Sequence, residues 1–317
     1  MTTLDDIRAA HDRIRSRVHR TPLLSSATLA TSAGVARVAL KCENLQKTGS
    51  FKARGALNAL SQLDAGAQAR GVVSFSAGNH AQALAWGART AGVKCTVVMP
   101  ATASQTKVAA TRGYGAEVIL HGTGTEALAK AHEMSEQQGL TLVHPFDDDR
   151  IIAGTGTVAL EILDEWKGAP DVVVVPIGGG GLISGIALAI KELAPATRVI
   201  GVEPTGAAVM RQSLDAGHPT SMKSTNTIAD GLAAPMAGVR NFEIVKRYVD
   251  DVVLVSDDEI AEAMRMLLLR GKLLAEPAGA AAAAALVTGK FPTRSSESVV
   301  LLVSGGNVDT ERIKSLI

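Results

Sequence analysis

Val172-Val173-Val174-Val175-Pro176-Ile177-Gly178-Gly179-Gly180-Gly181 decides the fold: a run apolar at every position, then four glycines, then a helix-like stretch over residues 182–193. A strand with one wet face alternates apolar and polar side chains, so a run without alternation is buried on both faces, as in a parallel sheet covered by helices. At its carboxyl end the glycines let backbone N–H groups approach an anion, and the start of the next helix adds its dipole. Close packing alone is the competing use of such a turn. A dinucleotide fold is the competing functional reading, because Gly179-x-Gly181-x-x-Ser184 nearly matches its fingerprint and Glu203 ends the next strand where an acid meets a ribose.

Outward from this stretch the pattern repeats. Apolar runs at residues 72–76, 95–99, 118–121, 142–144, 199–202, 252–255 and 299–303 alternate with helix-like segments, which is the doubly wound α/β plan. That plan places ligands beyond the carboxyl ends of strands. Residues 49–145 hold four strand and helix alternations, enough for a small domain, and residues 1–48 with 146–317 form a large, cofactor-binding domain. The expected architecture is two doubly wound, mostly parallel-sheet domains.

Composition narrows the function. Lys and Arg against Asp and Glu leave a formal charge of +1, aromatic residues make up 3%, and no basic run occurs, so nucleic acid is excluded as a partner. The longest apolar stretch, residues 278–287, is mostly alanine and far short of the roughly 20 residues that span a bilayer. Residues 1–20 mix acids and bases like an amphipathic helix and lack the apolar core of a signal peptide, so a cytoplasmic protein with a small-molecule partner is expected. After Ser304 comes one short helix-like segment, and no regulatory domain is expected. Cys42 and Cys95 lie in separate apolar runs and read as core residues; their spacing suggests neither a disulfide nor a metal site.

The unusual residues follow the strands. Lys52, in Lys47-Thr48-Gly49-Ser50-Phe51-Lys52, is the candidate nucleophile, since burial lowers a lysine pKa and frees the amine for a Schiff base. A solvated surface charge is its ordinary alternative. Ser76-Ala77-Gly78-Asn79-His80 brings a hydroxyl, an amide and backbone N–H groups to a helix start, suited to a carboxylate or a ring hydroxyl, although Ser76 or Asn79 could equally cap the helix. Ser304-Gly305-Gly306-Asn307 offers a neutral hydroxyl after the last strand. Asp257-Asp258-Glu259 and Asp147-Asp148-Asp149 read as charge clusters favourable to helix dipoles.

As a set these residues resemble the fold-type II (tryptophan synthase β-like) pyridoxal-phosphate enzymes, in the threonine/serine dehydratase and serine racemase branch. The resemblance runs from His19-Arg20-Thr21-Pro22-Leu23 through Lys41-Cys42-Glu43-Asn44 and the motifs above to Ala229-Asp230-Gly231, Glu276-Pro277 and Ser304-Gly305-Gly306-Asn307. It implies that Lys52 carries pyridoxal phosphate, Phe51 packs on its ring and Asn79 binds its 3′-oxygen. Gly178, Gly179, Gly180, Gly181 and Leu182 would hold the phosphate, Ser304 would meet the pyridine nitrogen, and Gly231 and Glu276 would lie near the ring. The segment Ser76, Ala77, Gly78, Asn79 and His80 would receive the substrate carboxylate. A neutral serine at the ring nitrogen favours elimination, so the implied reaction is dehydration and deamination of a β-hydroxy amino acid: L-threonine to 2-oxobutanoate, L-serine to pyruvate, each with ammonia. A homodimer or higher homo-oligomer is implied by resemblance alone.

Two departures shape that reading. Racemases of the branch place a serine before Gly-Asn-His, where this chain has Ala77, and a methyl group cannot move a proton. Members with a divalent cation pair a Glu-Pro glutamate with an aspartate six residues on; here Glu203-Pro204 is followed by Val209, and no metal is expected. Hydroxyaspartate dehydratase, racemase and β-replacement enzyme are the alternatives within the class, and a nicotinamide-dependent enzyme is the alternative outside it.

Overall fold

The computed structural model describes residues 1–316 of the 317. Its strands are β1 (Leu23–Ser25), β2 (Arg37–Cys42), β3 (Val72–Phe75), β4 (Cys95–Met99), β5 (Glu117–Leu120), β6 (Thr141–Leu142), β7 (Val172–Pro176), β8 (Arg198–Pro204), β9 (Asp251–Val255) and β10 (Ser298–Val303). They form two sheets, one ordered β1-β2-β10-β7-β8-β9 and one ordered β5-β4-β3-β6. Every pairing is parallel except β1 with β2.

The helices are α1 (Leu4–Ile14), α2 (Ala27–Ala33), α3 (Lys52–Leu60), α4 (Ala65–Arg70), α5 (Asn79–Ala91), α6 (Gln105–Gly113), α7 (Gly124–Gln138), α8 (Asp149–Trp166), α9 (Gly181–Leu193), α10 (Val209–Ala216), α11 (Val239–Tyr248), α12 (Asp257–Leu269), α13 (Pro277–Val287) and α14 (Thr310–Leu316). They cover both faces of the larger sheet. Val172, Val174, Val299 and Leu301 pack with residues of α12 and α13, whereas Val173, Val175, Val300 and Leu302 pack with α8 and α9. This explains the missing alternation in the β7 sequence: both sets of side chains are buried, each valine worth roughly 1.5–3 kcal/mol of transfer free energy. The small sheet repeats the arrangement, with Val72 and Val97 on one side and Val73 and Val98 on the other.

Two local outcomes differ from the sequence reading. The run at 142–144 yields only Thr141–Leu142 as strand, because His144 Nδ1 accepts from the N–H groups of Phe146 and Asp147 and turns the chain out of the sheet. Strands β1 and β2 extend the larger sheet beyond the runs singled out above; β1 has three residues, and Lys41 interrupts the apolar pattern of β2. Cys42 and Cys95 are both buried free thiols, and burial raises each to about 12. No helix among the described residues is long and apolar enough to cross a membrane.

Candidate active site

The N-termini of α1 to α13 divide into three groups. α1, α2, α4, α6, α7, α8 and α12 begin under their own capping side chains, Thr3, Ser26, Asp64, Ser104, Thr123, Asp148 and Ser256. α10 and α11 borrow carboxylates from elsewhere: Glu203 accepts from the Met210 and Arg211 N–H groups at 2.8 Å each, and Asp147 accepts from Val239 and Arg240 at 3.1 and 3.0 Å. α3, α5, α9 and α13 receive no side-chain cap. All four present the positive end of the helix dipole, and in α3, α5 and α9 the first N–H groups lack intrahelical acceptors, whereas α13 opens on Pro277, which has no N–H. All four begin around one cleft.

Contacts link the residues of that cleft into a ring. Lys52 Nζ donates to the Pro145 carbonyl at 2.7 Å. Next along the chain, the Phe146 ring lies so close to the glycine loop that a Cβ on Gly179 would stand within 2.5 Å of ring carbons, and a Cβ on Gly181 would be 3.0 Å from Phe146 Cβ. Gly178 adjoins Gly231, whose carbonyl would be 3.2 Å from an added Cβ, and a Cβ on Gly231 would stand 3.6 Å from Glu276 Oε1. Glu276 Oε1 accepts from Asn79 Nδ2 at 2.6 Å, and the Glu276 N–H donates to the Gly305 carbonyl at 3.0 Å. The circuit closes where the Phe51 N–H donates to the Ser304 carbonyl at 3.1 Å, beside an antiparallel bridge between Ser50 and Gly305.

Burial tunes the groups inside. The Lys52 amine is pushed down to about 8 by desolvation, far below the ordinary lysine value of 10.5. His144 is held at about 4, chiefly by burial, with Lys52 nearby adding to the effect. Glu276 is raised to about 7, again by burial, with the Asn79 amide opposing the shift. The His80 ring is held well below its ordinary value and is turned away from solvent, with Nε2 3.1 Å from Ser74 Oγ and 3.4 Å from the Val143 carbonyl. Its backbone N–H, at the start of α5, is the part available to a carboxylate. Ser76 Oγ accepts from the Gly78 N–H at 3.2 Å, so it braces the turn. Ala77 packs against the core of the small sheet.

Several contributors were not assigned a role from the sequence. Asn307 Nδ2 donates to Asn79 Oδ1 at 2.8 Å and to the Thr48 carbonyl at 2.7 Å, so Asn79 turns its oxygen to Asn307 and its NH2 to Glu276. Thr48 sits at φ 59°, a left-handed conformation that strains a β-branched residue. Pro145, His144 and Phe146 follow β6, and their position after a strand end was the available signal. Asp148 and Asp149 serve the start of α8 as read, but Asp147 caps α11, 92 residues away in sequence.

The dinucleotide reading is corrected here. Glu203 is fully buried and both its oxygens are engaged by α10, so no carboxylate is presented to a ribose. What remains is a glycine loop at a bare helix end facing a lysine with a depressed pKa. These features fit a small anionic carbonyl compound held as a Schiff base: the glycine loop and the N–H groups of α9 would take the anion, and Lys52 would take the carbonyl. The buried Ser50 Oγ, Thr48 Oγ1 and His80 Nδ1, which have no hydrogen-bond partner among the described residues, leave polar capacity for a ligand in the same region.

The fold and the cleft thus fit the class of α/β enzymes that use an aldehyde cofactor. Residues 14–305 match the family model described as pyridoxal-phosphate dependent enzyme. The chain belongs to this family, and pyridoxal phosphate is its cofactor. It is 47% identical to an L-threonine ammonia-lyase of Geobacter sulfurreducens over 98% of this chain and 77% of that one. A structure of maize serine racemase superimposes with a TM-score of 0.94 at 39% identity, covering 99% of this chain and 96% of the other. The processed form of threonine deaminase isoform 2 from Solanum lycopersicum gives 0.91 at 37% identity, covering 99% of this chain and 86% of the other. The fold-type II architecture expected from the sequence is therefore the one adopted.

Proposed function

We propose that the protein is an ammonia-lyase that converts L-threonine to 2-oxobutanoate and ammonia, and L-serine to pyruvate and ammonia. The observation that carries this reading is Lys52, an amine near pKa 8 set among four uncapped helix starts. Gly178, Gly179, Gly180, Gly181 and Leu182 would hold the cofactor phosphate, Phe51 would flank its ring, Ser304 would meet the ring nitrogen, Asn79 would meet the ring oxygen, and Gly231 and Glu276 would border the ring. The turn from Ser76 through Ala77 and Gly78 to the N–H groups of Asn79 and His80 receives the substrate carboxylate. Bound pyridoxal phosphate supplies an electron sink for the bond broken at Cα. The Lys52 amine would accept the Cα proton, and its low pKa suits it to do so near neutrality. The β-hydroxyl would leave, protonated, as water, and hydrolysis of the released product would return one water to give the 2-oxo acid and ammonia.

The similarity to serine racemase raises a second reading. Returning a proton to Cα from the face opposite Lys52 needs a protic side chain there, and Ala77 offers a methyl group. Elimination is accordingly favoured. We also read the chain as a small domain at 49–145 inserted in a large one, a division supported by the small sheet drawing its strands from residues 72–142. Cytoplasmic location and a homo-oligomeric state complete the reading.

The test is one incubation. Purified holoenzyme with L-threonine, and separately with L-serine, is assayed for 2-oxo acid, ammonia and D-amino acid, with Lys52→Ala alongside. The reading requires equal 2-oxo acid and ammonia with little D-isomer, and loss of both product formation and the visible absorption band in the variant. D-serine as the main product would replace it with the racemase.

A further inference from the structure

Two residues beyond Lys52, the guanidinium of Arg54 is fully buried between two carboxylates. Nε and one terminal nitrogen bind Glu43, at 2.8 Å to Oε2 and 2.7 Å to Oε1. The two terminal nitrogens bind Glu161, at 2.6 Å to Oε1 and 2.8 Å to Oε2. Lys41 Nζ shares Glu161 Oε2 at 2.8 Å and donates to the Thr21 carbonyl at 2.6 Å, while Thr21 Oγ1 donates to Glu43 Oε1 at 2.5 Å. Two positive and two negative side chains thus cancel, and none is more than 4% exposed.

Such a cluster is a poor device for stability, since well-packed apolar residues of the same volume commonly do as well or better. What it supplies is geometry. Arg54 lies about 200° around the α3 axis from Lys52, on the far side of the helix. A planar fork gripped at both edges fixes that side against the turn that follows β2 and against α8, and so fixes the rotation of α3. We propose that Arg54, clamped between Glu43 and Glu161, is a positioning residue that sets the direction of the Lys52 amine in the cleft. The inference rests on the reading that Lys52 carries the cofactor.

Arg54→Lys keeps the charge but cannot span both carboxylates. In the holoenzyme it is expected to lower kcat by about tenfold or more while KM stays within about twofold, because misplacing a catalytic group by ångströms costs chemistry before binding. The pH at which the visible absorption band titrates should shift as well, a signature that loss of stability alone would not produce at a temperature well below unfolding. Glu43→Gln, which loosens one grip only, should show the same changes in milder form and serves if Arg54→Lys does not fold. A folded variant with unchanged kcat and unchanged band titration would overturn the inference. Lys52→Ala is run in parallel: a visible band that persists there removes the Lys52 reading, and the Arg54 proposal with it, whereas a band lost there and unaltered in the Arg54 variant defeats the Arg54 proposal alone.

Discussion

The depressed pKa of Lys52 has a direct kinetic consequence for cofactor uptake. Only the neutral amine attacks the aldehyde of pyridoxal phosphate. With a pKa of about 8 in place of the ordinary 10.5, the neutral fraction at pH 7 is about one in ten instead of about three in ten thousand, a gain of roughly 300-fold. The cause is desolvation, which disfavours the charged form. The assay is stopped-flow growth of visible absorbance when apoenzyme meets excess pyridoxal phosphate between pH 6 and pH 10.5. N-α-acetyl-lysine, measured in parallel, corrects for ionisations of the cofactor itself. The corrected rate should climb about tenfold per pH unit, then level near pH 8, where the amine is already half neutral. A rate that keeps climbing through pH 10 in step with the free amine would refute the burial argument for Lys52.

Two further outcomes follow from other parts of the molecule. Glu203 is raised from 4.5 to about 7 by burial, so the folded protein binds its proton more tightly than the unfolded chain does. The associated stability, about 3 kcal/mol, is complete below about pH 4.5 and lost as pH rises through about 7. Glu203→Gln cannot titrate, so the stability of wild type relative to the variant should fall by that order between pH 5 and pH 8 in denaturant unfolding; a difference independent of pH would contradict it. Gly180 has φ 101°, and an added Cβ would lie 2.7 Å from Asn241 Cβ and 2.9 Å from Met210 Cε. Gly180→Ala should weaken cofactor binding by about 5- to 150-fold by equilibrium dialysis, the equivalent of the ~1–3 kcal/mol of strain that the loop must shift to relieve. Gly217→Ala, at φ 79° with open space around its Cβ, should lower stability without touching affinity, and equal affinities in the two variants would defeat the phosphate-loop assignment.

The sequence carried the strands and the site unequally, for physical reasons. β7 and β10 were legible because a strand buried on both faces loses its alternation, and Gly178 to Gly181 because a turn crowded by Leu232, Phe146 and Asn241 has no room for Cβ atoms. Lys52 stood out only in company: its depressed pKa comes from burial, which one lysine in a sequence does not reveal. Glu203 shows the opposite failure. Its place at a strand end fits a ribose ligand by spacing alone, and only the three-dimensional path of the chain brings the α10 amides onto both of its oxygens. Asp147, Asn307 and the Arg54 cluster were illegible for the same reason, since each partner lies from 11 to 259 residues away in sequence. Patterns of period and turn chemistry report on neighbours along the chain. The cleft is made by strand ends that meet only after folding, so what the sequence marks at each end is a separate fragment, and the hydrogen bonds that join the fragments into one site are the part that folding alone supplies.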